Sequence, residues 1–180
     1  TENQERYSVL FLADLHLSND PDKDDLRRFR ERVVPFIRKK AAESDGPVYM
    51  MNLGDLSHDI FWYEFDFDAE QKLPLKMYSV PGNHDHDGAI VGDNVDFRSG
   101  WLYRRTWGPD RYSVNIGNEH WVFLDNIIYV NDEGRGKKAP GIKGARNYET
   151  AFLPAQLDWL EKDLSYVPDS CNVFICTHCT

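Results

Sequence analysis

Four short apolar runs divide the chain into segments. They occupy residues 8–13, 48–53, 76–80 and 172–177, and each is too short to form a helix of ordinary length. Continuous apolar runs of this length, bounded by polar or glycine residues, are typical of strands that are buried inside a sheet. We therefore predict a central strand at each of these four positions.

Between the first two runs, the apolar residues recur with the period of a helix. The spacing predicts a helix over residues 22–42. Pro35 lies inside this pattern, and it predicts a kink or break because proline cannot donate a backbone hydrogen bond. A strand, a helix and a second strand in succession imply that the two strands are parallel. The apolar positions of the helix are Leu26, Phe29, Val33, Phe36 and Ile37.

The second half of the chain predicts a hairpin and one more helix. Residues 112–116 and 120–125 flank Gly117-Asn118, a favoured turn pair, which predicts two antiparallel strands. Leu153-Pro154 opens a helix that leads into the last strand. Residues 56–70 lack a clear period and predict a loop that can hold a short helix. Residues 129–151 predict a long glycine-rich insertion.

Charge and composition restrict the possible functions. The 180 residues are typical of one domain, and their formal net charge of −9 argues against nucleic-acid binding as the main function. An anionic substrate remains possible, because bound divalent cations would reverse the local field. No apolar run reaches the length of about 18 residues that a membrane span requires. The chain opens on Thr1 and stops on a strand, so we expect it to be part of a longer protein with other domains.

The three cysteines do not point to a disulfide framework, because three thiols cannot all pair. Cys176 and Cys179 have the spacing of half a zinc site, but no second pair accompanies them. We interpret them as a strand cysteine and its neighbour.

Each predicted central strand ends at residues that can bind a metal. In open α/β sheets, ligands gather beyond the carboxyl ends of the strands, so the four motifs predict one shared metal site. Asp14 and His16 are two residues apart, which directs their side chains to the same face. The motifs are Asp14-Leu15-His16, Gly54-Asp55, Gly82-Asn83-His84-Asp85 and His178.

In this order, the motifs resemble those of the calcineurin-like metallophosphoesterases. The family pattern is D-x-H, G-D, G-N-H-D or G-N-H-E, a lone H and finally G-H-x-H, and the first four match over residues 8–180. The resemblance implies an α/β fold with two stacked mixed β-sheets flanked by helices in four layers, its C-terminal part missing. It also implies that residues 1–180 form one catalytic domain. No G-H-x-H occurs in the sequence, so we expect the metal site of this chain to be incomplete.

The resemblance also assigns roles to individual residues. It implies two divalent metal ions held by Asp14, His16, Asp55, Asn83 and His178, with Asp55 as the bridge. Mixed oxygen and nitrogen ligands favour Mn, Fe or Zn. A bridging hydroxide attacks phosphorus, His84 protonates the leaving group, and Asp85 accepts a hydrogen bond from His84.

Further residues are candidates for substrate contacts. His58 and His86 follow the metal motifs closely, and the alternative for both is a solvated loop histidine. The insertion carries Lys137, Lys138 and Lys143, which either hold a phosphorylated substrate or belong to a solvated surface loop. His120 starts a hairpin strand, and we interpret it as structural. Purple acid phosphatases carry a tyrosine at the position of His58, so an Fe(III)–tyrosinate site is disfavoured.

The sequence thus predicts metal-dependent hydrolysis of a phosphomonoester or phosphodiester, with a small-molecule, lipid or nucleotide substrate. Two alternatives remain open at this point. The first is that the chain is a catalytically incomplete metal-binding or scaffold fragment. The second is that it is a nucleotidase or pyrophosphohydrolase on the same fold.

Overall fold

The computed structural model describes residues 6–18, 24–57, 75–88, 90, 93–129 and 148–179. The first sheet contains β1 (Ser8–Leu12), β2 (Val48–Asn52) and β3 (Lys76–Ser79) in the order β1-β2-β3, and both strand pairs are parallel. The three strands predicted from the apolar runs are confirmed. Because the strands are parallel, the loops that follow them lie at the same edge of the sheet.

The helix between β1 and β2 is irregular in the turn before Pro35. α1 (Asp25–Arg28) leads into a π-helical segment (Phe29–Val33), and α2 (Val34–Glu43) follows, with Pro35 in its first turn. Pro35 cannot donate a backbone hydrogen bond to the preceding turn, and a π-helical turn is one way in which a chain accommodates such a gap. The predicted irregularity is therefore a change of helical winding.

The second sheet is mixed. It contains β4 (Arg111–Ile116), β5 (Glu119–Leu124) and β8 (Asn172–Cys176) in the order β4-β5-β8. The β4–β5 hairpin is antiparallel, as predicted, whereas β5 and β8 run parallel, from Glu119 opposite Asn172 to Phe123 opposite Cys176. The carboxyl ends of β5 and β8 therefore lie side by side.

Neighbouring residues on β2 show how the layers stack. Met50 packs into a core with the helical segment, which includes Phe29 and Ile37. Met51, on the opposite face of the strand, packs into a second core with Phe123 and other residues of the second sheet. The first sheet is thus buried on one face by helices and on the other by the second sheet.

A helix covers the outer face of the second sheet. This helix, α5, spans Pro154–Leu164, and its Asp163 contacts Ser113 and His120, which point away from the inter-sheet core. His120 is buried between Asn115 Oδ1 at 2.6 Å and Asp163 Oδ2 at 2.8 Å, in agreement with a structural role. The four layers of helix, sheet, sheet and helix agree with the predicted fold.

Several short elements were not predicted. α3 (Val95–Ser99) and α4 (Trp101–Thr106) precede the β4–β5 hairpin. Part of the predicted insertion is regular, because β6 (Ile127–Tyr129) pairs antiparallel with β7 (Tyr148–Thr150). Within the described residues, no helix has both the length and the hydropathy needed to cross a bilayer.

Candidate metal centre

The loops after β1 and β2 are joined by backbone hydrogen bonds. The N–H groups of Asp14, His16 and Leu17 donate to the carbonyl oxygens of Gly54, Asp55 and Leu56 at 3.1, 2.9 and 2.9 Å. The two loops therefore continue the pairing of their strands beyond the sheet. This pairing brings the Asp14-Leu15-His16 motif and Asp55 to one place.

Three of the predicted ligands have a left-handed backbone. The φ angles of Asp14, His16 and Asp55 are 53°, 47° and 54°. Non-glycine residues rarely adopt this conformation, which costs about 1–3 kcal/mol and tends to occur at functional sites. The surrounding hydrogen bonds hold these residues in a strained conformation that directs their side chains.

The Asp55 carboxylate is the centre of the site. It is only 1 % exposed. Its Oδ2 atom lies 3.7 Å from Nε2 of His16, 4.0 Å from Nε2 of His84 and 3.6 Å from Nε2 of His178. Three imidazoles from three different loops thus meet at one oxygen atom. We call Asp14, His16, Asp55, Asn83, His84 and His178 the Asp55 cluster.

The donor atoms form two groups that share Asp55. Asp14, Asp55 and His178 offer ligand atoms within 4.8 Å of one another, and so do His16, Asp55 and His84. Sharing of Asp55 agrees with the bridging role that the resemblance implies. The grouping brings His84 among the donors, although the resemblance implies a proton donor there rather than a ligand. The assignment of each ligand to one ion stays a prediction.

Burial is the main influence on the charge of Asp55. It raises the pKa of the carboxyl group, while the backbone N–H of His84 and the imidazoles of His178 and His16 oppose this rise. When a carboxylate is buried away from water, a nearby cation stabilises its charged form. The electrostatics of the cluster therefore fit a metal ion.

His178 is oriented for metal binding. Its Nδ1 atom lies 2.7 Å from the carbonyl oxygen of Leu53, which can only accept a hydrogen bond, so the proton of the neutral ring sits on Nδ1. The lone pair on Nε2 then faces Asn83 Oδ1 at 3.2 Å and Asp55 Oδ2 at 3.6 Å. Acceptor atoms that face one another in this way favour a cation between them, and a carbonyl behind the ring is a common support for a metal-binding histidine.

Asp85 braces the backbone of two loops. Its Oδ2 atom accepts hydrogen bonds from the N–H groups of Gly82 at 2.7 Å and Asp55 at 2.9 Å, and Asp85 is buried. The Oδ1 atom of Asp55 in turn accepts a hydrogen bond from the N–H of His84 at 2.7 Å. This bracing role was not predicted. The predicted contact of Asp85 with the His84 side chain stays a prediction.

His86 is a buried residue, and its predicted role as a substrate contact stays a prediction. It is 3 % exposed, its Nδ1 lies 2.7 Å from Ser99 Oγ, and its ring stacks on Tyr129 with centroids 5.8 Å apart. Burial lowers the pKa of His86, but the Asp125 carboxylate, with Asp96 and Asp85, outweighs this effect and raises it. The alternative of a solvated loop histidine is wrong, because partners from distant segments bury His86. His58, Lys137, Lys138 and Lys143 lie outside the described residues.

The family profile for "Metallophos: Calcineurin-like phosphoesterase" matches residues 7–179. The chain belongs to the calcineurin-like phosphoesterase family. The calcineurin-like phosphoesterases are metal-dependent hydrolases, and the Asp55 cluster contains groups of side chains that can offer ligand atoms to a metal ion. The expectation that the metal site of this chain is incomplete stays a prediction.

Individual relatives agree with this assignment. The serine/threonine-protein phosphatase CPPED1 of Pongo abelii is 25% identical over 147 residues, which are 77% of this chain and 40% of that protein. The chain therefore spans about 40% of the length of this curated relative.

One solved structure supports the fold, and a second is reported beside it. Phosphopantetheinyl hydrolase (PptH) from Mycobacterium tuberculosis has a TM-score of 0.52 and 12% identity, covering 100% of this chain and 70% of that chain. A purple acid phosphatase, PPD1 from yellow lupin (Lupinus luteus) seeds, has a TM-score of 0.49 and 16% identity, covering 89% of this chain and 28% of that chain.

Proposed function

We propose that the protein hydrolyses phosphomonoesters or phosphodiesters with two divalent metal ions, Mn, Fe or Zn, bound in the Asp55 cluster. Asp14, His16, Asp55, Asn83 and His178 hold the ions, and Asp55 is shared between them. Family membership supports the reaction class. The observation that carries the proposal is the approach of three imidazole Nε2 atoms to one buried Asp55 oxygen. When bound, the ions supply Lewis-acid stabilisation of the charge that develops on the phosphoryl oxygens.

In this proposal His84 acts as the general acid. Hydrolysis breaks the bond between phosphorus and the leaving-group oxygen, and the oxygen of a water molecule replaces it. The His84 imidazolium gives its proton to the departing oxygen, and such assistance contributes about 10²–10⁴-fold to a rate. The hydrogen bond from the His84 N–H to Asp55 Oδ1 fixes the base of this side chain. Its ring meets the His16 ring edge-on at 4.4 Å, which restricts its rotation.

The substrate remains open within this class. The similarity to a serine/threonine-protein phosphatase and to a phosphopantetheinyl hydrolase supports testing phosphoserine peptides and phosphopantetheinyl groups. Nucleotides and lipid head groups belong in the same panel, because a nucleotidase or pyrophosphohydrolase would use the same cluster. We propose that Lys137, Lys138 and Lys143 contribute to substrate binding, and they lie outside the described residues.

The test combines metal binding with hydrolysis. The metal-stripped protein is titrated with Mn²⁺ or Zn²⁺ by calorimetry, and turnover of p-nitrophenyl phosphate and bis-p-nitrophenyl phosphate is followed at each metal content. We expect hydrolysis to rise with bound metal and to stop when a chelator removes it. Tight metal binding without hydrolysis of any ester in the panel would favour a binding or scaffold protein. Hydrolysis that persists in chelator would overturn the metal-dependent mechanism.

A further inference from the structure

The loop that carries His178 is held by one buried side chain that the proposed mechanism does not use. Asn126 follows β5 and is 3 % exposed. Its Nδ2 atom donates to the carbonyl oxygen of Cys179 at 2.6 Å, and its Oδ1 atom accepts from the N–H of Cys179 at 3.2 Å. One side-chain amide thus pairs with both backbone groups of the residue next to His178.

The contact between Asn126 and Cys179 lies just beyond the end of the pairing between β5 and β8. The last paired residues of β5 and β8 are Phe123 and Cys176. Beyond these residues, the side-chain amide of Asn126 bonds to the backbone of Cys179. Thr177 adds a bond from its hydroxyl group to the Cys179 carbonyl oxygen at 3.1 Å. The turn that carries His178 is therefore tied to the second sheet.

The backbone of Asn126 is itself held in place by neighbouring segments. Its carbonyl oxygen accepts the N–H of Ala151 at 3.1 Å, which ties it to the segment after β7. The neighbouring Asp125 approaches Nε2 of His86 at 3.6 Å, and the Asp125 Oδ1 atom accepts the N–H of Ile127 at 2.8 Å. The segment after β5 is thus anchored on both sides, so it can serve as a rigid reference for the His178 turn.

On its other side, the His178 ring contacts the carbonyl oxygen of Leu53 through Nδ1. This hydrogen bond places the ring proton on Nδ1. A single hydrogen bond still lets the ring move together with the turn that carries His178. The two hydrogen bonds of Asn126 to Cys179 restrain this turn. They thereby determine whether the lone pair on His178 Nε2 is directed at Asn83 and Asp55. Asparagine suits the role because its amide offers an N–H donor and a carbonyl acceptor at once, whereas an ionised aspartate can only accept.

We propose that Asn126 is a positioning residue for the metal ion bound by His178, acting through the backbone of Cys179. The inference rests on the proposed function, since it concerns one ligand of the proposed metal centre. Supporting residues behind a metal ligand typically change metal affinity by about 10–100-fold.

The test compares three variants. Asn126→Ala removes both bonds to Cys179, whereas Asn126→Asp has nearly the same shape but loses the donor and adds a buried negative charge. The matched control is Asn118→Ala, because Nδ2 of Asn118 also donates to a backbone carbonyl, that of Ser170 at 2.8 Å, at the opposite end of the same strand pair. The measurements are Zn²⁺ calorimetry, thermal unfolding and the ¹⁵N signals of the His178 ring in the metal-free protein.

We expect Asn126→Ala to weaken the binding of one of two Zn²⁺ ions by about 10–100-fold, with a loss also in Asn126→Asp and none in Asn118→Ala. The His178 ¹⁵N signals should change in both Asn126 variants and stay unchanged in the control. If Asn126→Ala does not fold, Asn126→Asp carries the comparison. Wild-type Zn²⁺ affinity together with wild-type His178 signals in the Asn126 variants would overturn the proposal. If the parent protein binds no Zn²⁺, the proposed function fails, while the ring signals still decide whether Asn126 positions His178.

Discussion

Gly82 packs directly against Asp55, and both donate their backbone N–H groups to the same oxygen of Asp85. A Cβ atom on Gly82 would overlap the Asp55 carboxylate. The φ angle of Gly82 is −109°, a conformation that any residue adopts. Glycine is therefore required here for close approach and not for backbone freedom.

We predict that Gly82→Ala disrupts metal binding by displacing the Asp55 carboxylate. Overpacking of a buried site typically costs about 1–3 kcal/mol of stability. The control is Gly108→Ala, because a Cβ there meets no atom within 4 Å but the φ angle of 113° is unfavourable for alanine. The control should lose stability and keep its metal affinity. Equal metal affinity in both variants, measured by calorimetry, would refute the steric role of Gly82.

Replacing Asp55 should separate metal binding from stability. We predict that Asp55→Asn abolishes hydrolysis and weakens binding of both ions, because the shared charge is lost. The amide can still accept the hydrogen bond from the His84 N–H. Since burial raises the pKa of Asp55, the charged form is unfavourable without metal, so the metal-free variant should be at least as stable as the metal-free parent.

Urea unfolding and metal analysis of both proteins check this prediction. A variant that keeps two ions and full turnover would show that Asp55 is not shared between them. A metal-free variant that is strongly destabilised would mean that the carboxylate has another structural partner.

The role of His84 can be separated into proton donor and ligand. We predict that His84→Ala lowers the rate by about 10²–10⁴-fold while metal content stays at the parent level. The loss should shrink for esters with good leaving groups, because these need less protonation. Equal losses for p-nitrophenyl and alkyl esters would indicate that His84 positions the substrate. Loss of an ion would make it a ligand, which its closeness to His16 and Asp55 allows.

The strands and the residues at their exits could be predicted because both signals are local. Asp14 and His16 directly follow a continuous apolar run, and Asp55 follows another. Because the strands are parallel, their carboxyl ends lie at one edge of the sheet, and the residues that follow the strands meet there. The same reasoning does not place His178, because its strand lies in the other sheet.

Contacts between distant segments could not be predicted in this way. β6 and β7 have three residues each, too few for alternation to be recognised. The burial of His86 depends on Ser99, Tyr129 and Asp125, none of which is close to it in sequence. The position of Asn126 after an apolar strand could have marked it as a candidate for the site. Its partner Cys179 lies 53 residues away, so their contact could not be predicted.

Cys176 offers a test of the strand arrangement. It belongs to the core between the sheets, and burial raises its pKa to about 11. At pH 8 only about one thiol in a thousand is then ionised, and the thiolate is the reactive form. We predict that iodoacetamide modifies Cys171 and Cys179, which are half-buried, well before Cys176 in the native protein. Peptide mapping after timed alkylation measures this order. Labelling of Cys176 as fast as Cys171 would contradict its place in the core.

Asp96 should make stability depend on pH. Burial raises the pKa of this carboxyl group above its ordinary value of 3.8, the Asp125 and Asp110 carboxylates add to the rise, and the Tyr129 N–H and His86 oppose it. Between 3.8 and the raised value, the folded protein binds more protons at this position than the unfolded chain. The free energy of unfolding therefore falls as the pH rises through this window, and the loss is complete above it.

We predict that Asp96→Asn removes this loss. Asparagine does not ionise, and its side-chain oxygen can still accept the N–H of Tyr129, as the Asp96 Oδ1 atom does. The variant should be more stable than the parent at pH 7, and the difference should shrink as the pH falls towards 3.8. Urea unfolding at a series of pH values measures the difference, with the exposed Asp169→Asn as the control. Parallel stability curves for Asp96→Asn and the parent would contradict the buried, proton-binding state of Asp96.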